Sequence, residues 1–460
     1  MFTEKKIKNL IAGTYKKLQD VNEFLIDIKT SCEIDKNKLD EYNKLKNDIN
    51  NLLETINYDF LHMDANENES PAIEIEQNKY YNNADVFYNK GLAYIKNNEQ
   101  EKALIEFTKA ISLEQNNPDY YLKKGDALKN MERFNEALTE YNNAIRLNTQ
   151  NPDCYISRGD LFHKMKLYRE SLLDFDRAIM LNPKIADYYF AKGKVLYDSR
   201  QYNDAINEYN KALDLKPDES LYYNARGNAY LELEQYDKSM IEYEKAIEIN
   251  PNVPKYHLNK GICYDDIKNY DEALRELDIG ISLNPEEISN YYYMKAEIFY
   301  DLEQYEEAIH NYDLAIKADL NNPDYHFGRA DSLSELKKYD EALKEYDIAI
   351  GINPGFTDAY AAKAWTLIET GKFDEAELII NDGLKIDPFS DYLLLTYFEL
   401  LALKGETAEA IKLIEGKVKL NPSLNVLICY QMKLDFENES STDIEKEALK
   451  LYLEKNCNSR

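Results

Sequence analysis

Apolar and small residues keep two different rhythms along this chain. Over the first sixty positions, Ile7, Ile11, Leu18, Val21, Leu25 and Ile28 recur at alternating steps of four and three, with Thr14 in one weak slot. After a polar break at 31–38, Tyr42, Leu45, Ile49, Leu52 and Ile56 repeat the rhythm. Both stretches predict amphipathic helices with a heptad-like seam. They fit an antiparallel hairpin over residues 1–62, which either caps the rest of the chain or pairs with a second copy as a coiled coil. From Ala84 the rhythm changes: Gly91, Gly125, Gly159, Gly193, Gly227 and Gly261 stand thirty-four residues apart. A fixed period of that size signals a helical repeat array, which grows by stacking and needs no single large core.

With each ladder glycine set as position eight of a unit, other columns fall into register. Position twenty reads Ala103, Ala137, Ser171, Ala205, Ser239 and Ala273, and position twenty-seven reads Ala110, Ala144, Ala178, Ala212, Ala246 and Gly280. Position twenty-four is large: Phe107, Tyr141, Phe175, Tyr209, Tyr243 and Leu277. One extra residue then enters and the rung becomes Ala296, Ala330 and Ala364, with a weaker last unit that carries Phe398 there. Small residues at eight and twenty are what a close crossing of two helices, A and B, requires. Aromatics from Phe134 to Phe373 mark the A–B turn at position seventeen. Ten of the twelve prolines sit at unit junctions, nine of those ten after Asn or Asp, and are expected to end helix B.

These columns together resemble the tetratricopeptide repeat family, with ten units over residues 84–424. The resemblance implies an all-α fold: a right-handed superhelical solenoid of stacked antiparallel helix pairs, with the N-terminal helical hairpin before it and a C-terminal capping helix after it. Residues 63–83 are acidic and read as a linker. Residues 425–460 read as C-terminal capping helices, the last introduced by the capping box Thr442-Asp443-Ile444-Glu445.

Net charge is −29 with five scattered cysteines and no CxxC pair. Such acidity opposes nucleic acid or an anionic membrane as partner and favours a neutral to basic protein or peptide. Unpaired cysteines suit reduced thiols and a cytoplasmic location. The first twenty residues lack the apolar core of a secretory signal, and no run of about 18 apolar residues exists to span a membrane. Five dispersed histidines and the absence of HExxH, GxSxG, P-loop or GxGxxG patterns leave no catalytic residues, metal ligands or cofactor to nominate, so an enzyme is not expected.

Members of the family commonly bind ligands in a concave groove lined by helix A, where positions two, five, nine, twelve and thirteen make one stripe. Position nine offers Asp126, Asp160, Lys194, Asn228, Glu297, Asp331 and Trp365; position thirteen offers Asp198, Glu232, Asp266, Asp301, Glu335 and Glu369; position twelve adds Tyr197. Six consecutive carboxylates near the C-terminal ends of A helices oppose the helix dipole. They are either a solvated acidic face or an acidic trough for a peptide, with aromatics at positions five and twelve (Tyr88, Phe190, Tyr293, Tyr300 and Phe327) beside it. A family variant that clamps acidic C-termini is excluded. Asn228 and Asn259 match it, but its cations are replaced by Asn224, Asn290 and Met294. The expected function is therefore a peptide-binding scaffold or adaptor. Alternatives are a regulatory receptor that changes conformation on binding a short signalling peptide, and a structural self-assembly protein that dimerises through residues 1–62.

Overall fold

The computed structural model describes residues 83–421 together with 450 and 453. The expected hairpin at 1–62, nearly all of the linker and most of the C-terminal segment lie outside the described residues. Two compact units divide the chain, Met1–Asn116 and Asn117–Arg460. Among the described residues, the first holds one helix pair, α1 (Ala84–Lys96) and α2 (Gln100–Leu113). The second holds nine: α3 (Pro118–Asn130) and α4 (Phe134–Leu147), α5 (Pro152–Lys164) and α6 (Tyr168–Leu181), α7 (Ala186–Asp198) and α8 (Tyr202–Leu215), α9 (Ser220–Leu231) and α10 (Tyr236–Ile249), α11 (Pro254–Asp266) and α12 (Tyr270–Ser282), α13 (Ile288–Asp301) and α14 (Tyr305–Ala318), α15 (Pro323–Glu335) and α16 (Tyr339–Ile352), α17 (Thr357–Glu369) and α18 (Phe373–Ile386), α19 (Asp391–Leu403) and α20 (Thr407–Leu420). Within the second unit each helix packs on the next, and the A helices of successive pairs also touch. The described residues are all-α, without strands, and the pairs of the second unit stack as a solenoid. None of their helices is long and apolar enough to cross a membrane.

The A–B turn is the same in every pair. The N–H of position sixteen donates to the carbonyl of position eleven at 2.8–2.9 Å, as in Glu99 to Tyr94 and Lys338 to Leu333. This closure needs a left-handed residue at position fifteen. Only the last two pairs use glycine there, Gly371 and Gly405; the others place Asn98, Glu132, Lys166, Arg200, Glu234, Lys268, Glu303 and Lys337 at φ 57–62°.

The junction prolines divide into two roles, which corrects the expectation that all of them end helix B. Pro118, Pro152 and Pro323 instead open helix A at its first turn, where a missing N–H costs nothing. The asparagines before them are N-caps: Asn117, Asn151 and Asn322 each accept from a backbone N–H two residues on, at 3.0 Å. Pro183, Pro217, Pro251, Pro354 and Pro388 do come after a B helix, next to its non-helical capping residue. The extra residue of the sixth unit is absorbed after α12, where Leu283 turns and Asn284 takes φ 54°.

All ten residues at position twenty are fully buried, and Ser171 and Ser239 donate from Oγ to the carbonyls of Gly159 and Gly227 at 2.8 Å. That bond is why serine is tolerated in a dry crossing. The tightest contact of the rung is with position twenty-four. A Cβ on Gly193 would lie 2.5 Å from the Tyr209 ring, and one on Gly91 2.4 Å from Phe107. Two crossings are looser: a Cβ on Gly159 would meet Phe175, and one on Gly261 would meet Leu277, each at 3.3 Å.

These geometries set opposite expectations for two rungs. Gly193→Ala should destabilise the chain by about 1–3 kcal/mol, because the ring of Tyr209 has nowhere to go. Gly261→Ala should be neutral or stabilising by up to about 1 kcal/mol, since helix propensity outweighs a shift of Leu277 by a few tenths of an ångström. Urea midpoints of the two variants measured side by side separate these outcomes. At the turn, Glu132→Gly should stabilise the chain by about 0.5–1 kcal/mol by relieving a left-handed glutamate, whereas Glu132→Gln, which removes the charge alone, should not.

Candidate functional site

Cations have a fixed place in this fold. Position seven is Lys or Arg in each of the first nine pairs, from Lys90 to Lys363. In much of the second unit it bridges its own B helix and the B helix before it. Arg158 binds Asp174 of α6 and Asn142 of α4 at 2.6–2.8 Å; Lys192 binds Glu208 and Asp176 at 3.0 and 2.8 Å; Arg329 binds Glu345 and Asp313 at 2.9 and 2.7 Å. Lys295 and Lys363 contact the preceding B helix, at Asp278 and Asp347, each at 2.6 Å. Positions seven and nine lie on nearly opposite sides of a helix. The ladder therefore gathers positive charge on the B-helix side, while on the other face position thirteen is a carboxylate from the fourth pair to the ninth, after Lys96, Asn130 and Lys164 in the first three.

The sequence-nominated residues on that face sort into two rows. Position nine packs against the core ring at position twenty-four. Tyr141 donates to Asp126 at 2.9 Å, Tyr243 to Asn228 at 2.8 Å, Tyr346 to Asp331 at 2.5 Å, and Tyr312 to Glu297. A buried phenol needs an acceptor. Where position twenty-four is Phe107, Leu277 or Ile380, position nine is Leu92, Ile262 or Trp365 instead. Asp160 faces Phe175 without such a donor, and burial raises its carboxyl above the usual range despite Lys129, His163 and Lys194 nearby. Lys194 is exposed. Asn259 donates to both Asn224 and Asn228, at 2.9 and 3.0 Å, so the remnant of the carboxylate clamp is closed on itself.

Position thirteen lies at the A–B turn edge and reaches back to the preceding pair. His163 contacts Asp198 at 2.6 Å; Tyr197 and Tyr202 donate to Glu232 at 3.1 and 2.9 Å; Lys268 and Tyr270 donate to Asp301, each at 3.2 Å. Asp266, Glu335 and Glu369 lie at the surface of the same edge. Partial burial, with Glu232 and Glu234 adding to it against Lys268, raises the Asp266 carboxyl. The aromatics at position five are half-buried and stack on core rings: Phe190 on Tyr209 at 5.7 Å and Tyr293 on Tyr312 at 6.2 Å between centroids.

The structure brings three of the nominated residues together with two of the aromatics named beside them. A cavity of ≈ 480 Å³ opens on the A-helix face of the last four pairs, lined by Asp331, Glu335 and Trp365 with Tyr300, Phe327, Asp358 and Tyr392. Its walls come from α13, α15, α17 and α19, and Tyr346 of α16 lies beneath. No Lys, Arg or His lines it. Trp365 and Tyr392 are 40% and 58% exposed, so both side chains are accessible at the opening. Burial pushes the Asp331 carboxyl up to about 7; the Tyr346 hydroxyl pulls it down, while Glu297, Glu335 and Asp358 push it further up. Asp358 is itself raised by burial and by Asp391. Sequence reasoning did not nominate Tyr392, whose unit has the weakest pattern.

Cys154 and Cys263 are free and buried, and burial raises their thiols to about 12 and about 11. Among the described residues no group of three His, Cys, Asp or Glu side chains converges to hold a metal ion.

Models of the tetratricopeptide repeat match residues 84–117, 190–254, 242–275, 293–356 and 333–396, and a TPR repeat model matches 125–166. Together they span more than half of the chain. No curated protein matches. Among solved structures, a tetratricopeptide repeat protein from Parabacteroides merdae is 15% identical, covering 55% of this chain and 99% of that one at a TM-score of 0.46. Yeast Tom70 is 14% identical over 82% of this chain and 96% of that one, TM-score 0.42. MamA from Desulfovibrio magneticus RS-1 is 21% identical over 37% and 96%, TM-score 0.35.

A half-buried aspartate with a raised pKa predicts a pH signature. In the unfolded chain Asp331 titrates at about 4. Its contribution to stability is full below that value and is lost as pH rises through about 7. Asp331→Asn cannot ionise, so it should be more stable than the parent at pH 8, by an amount on the order of 1.4 kcal/mol per pKa unit at most. The advantage should vanish near pH 4, as read from urea midpoints across that range.

Proposed function

The chain belongs to the tetratricopeptide repeat family, and from that premise we propose that it is a non-enzymatic scaffold or adaptor that binds a neutral to basic protein segment along the A-helix face. The observation that carries this reading is the separation of charge. The position-seven ladder ties cations between B helices, and the opposite face keeps Asp266, Glu335 and Glu369 at its surface. A segment with positive charge would be steered to that face and held in register by it. Half-buried rings at positions five and twelve supply apolar contact beside the charge.

Of the six carboxylates at position thirteen, Asp198, Glu232 and Asp301 stitch neighbouring pairs together. Asp266, Glu335 and Glu369 are the ones whose replacement tests recognition without loosening the stack. A basic peptide should bind the full chain with affinity that falls about tenfold or more between low and moderate salt, as exposed charges are screened. The Asp266→Lys, Glu335→Lys, Glu369→Lys triple variant should abolish binding while keeping the parent's circular dichroism and melting midpoint. Binding that ignores salt, or a triple variant that binds as well as the parent, would sink the reading.

A further inference from the structure

We infer that the cavity between α13, α15, α17 and α19 is a subsite for one cationic side chain, the alkylammonium or guanidinium of a lysine or arginine in the bound segment. The inference rests on the proposed segment-binding face and deepens it. Three observations support it beyond the acidic columns themselves. First, the cavity has a cause: position five is large in the units around it, as Tyr293, Phe327 and Leu395 show, but is Ala361 in the ninth. The volume that Ala361 leaves is open to the face, and ≈ 480 Å³ is within the range of roughly 300–1,000 Å³ typical of small-ligand sites.

Second, its lining pairs aromatic faces with carboxylates. Trp365 and Tyr392 stand exposed at the same opening as Glu335 and Asp358. A cation over an indole or phenol face is attracted by the ring quadrupole, and most strongly by tryptophan. Third, the charge has no counter-ion among the lining residues, since none of them is Lys, Arg or His. Three carboxylates without a cation disfavour an anionic guest, and rings without a convergent metal-ligand set favour an organic cation over a metal ion.

Trp365 is the chain's single tryptophan, so it reports on this cavity alone. The full chain would be titrated with arginine amide and lysine amide while following Trp365 fluorescence, with citrulline amide as the uncharged control. A saturable change is expected with one or both cations, and citrulline amide should bind about tenfold more weakly or not at all. Ala361→Leu, which fills the cavity without altering charge, and the Glu335→Gln, Asp358→Asn pair, which removes charge without altering volume, should each weaken binding about tenfold. Asp204→Asn on a B helix away from the cavity should leave it unchanged. Equal response to citrulline amide, no saturable response to either cation, or an Ala361→Leu variant that binds like the parent while keeping its melting midpoint would overturn the subsite. Should basic peptides still bind with salt-sensitive affinity in that case, the subsite alone falls. Should peptide binding also ignore salt and the position-thirteen triple variant, the segment-binding face falls with it.

Discussion

Everything in the stack depends on how closely a glycine on one helix approaches an aromatic ring on the next. At Gly91, Gly125, Gly193 and Gly227 the ring at position twenty-four occupies the space a Cβ would need. That contact sets the A–B separation, and the separation dictates other residues. At four of the five tyrosines the hydroxyl finds an acceptor at position nine, Asp126, Asn228, Glu297 or Asp331, whereas Tyr209 has Lys194 at that position. Once position twenty is serine, it must find the rung's carbonyl. The tenth pair inverts the sizes, with Phe398 on the rung and Ile414 at position twenty-four, and both are buried in one cluster. Volume across the crossing is conserved even where the identity of each partner is not.

Charge is arranged by the same geometry. A cation at position seven that touches its own B helix and the previous one is useful only when both are in register, so the ladder acts on stacking more than on any single pair. Its carboxylate partners Asp174 and Glu208, and Glu242 against Arg226, are buried, where desolvation offsets much of the attraction. The net effect is specificity of register and a one-sided distribution of charge. An acidic A-helix face is therefore partly a by-product of how the stack is held together. Half of the position-thirteen carboxylates are internal stitching of a second kind, made with His163, Tyr197, Tyr202, Lys268 and Tyr270 near the A–B turns.

The rung, the period and the extra residue of the sixth unit were legible in the sequence because each is a constraint of size or count, repeated along the array. The prolines were half legible. Asn117-Pro118 opens a helix and Asn250-Pro251 comes after one, and the same dipeptide serves both because asparagine caps well and proline suits either end. The left-handed residue at position fifteen was not legible, since closure of the turn overrides the preference of Glu132 or Lys337 for negative φ. Pairing of position nine with the phenol at twenty-four could have been read from the columns, because acceptors accompany most tyrosines and apolar residues accompany Phe107, Leu277 and Ile380.

The cavity is a different kind of feature, because it comes from an omission. Ala361 interrupts a run of large residues at position five, and a single small residue in an array of alanines carries no signal of its own. Its consequence appears when four A helices are placed side by side and Tyr300, Phe327, Trp365 and Tyr392 surround the vacated volume. The array is also less regular there: the rung has become alanine at Ala330 and Ala364, and position twenty-four changes from Tyr346 to Ile380. Strict repetition builds a uniform face, which can hold a segment by charge but cannot place one side chain. A site with an address along the array has to come from a unit that departs from the pattern, and the ninth unit departs from it while still keeping its rung small.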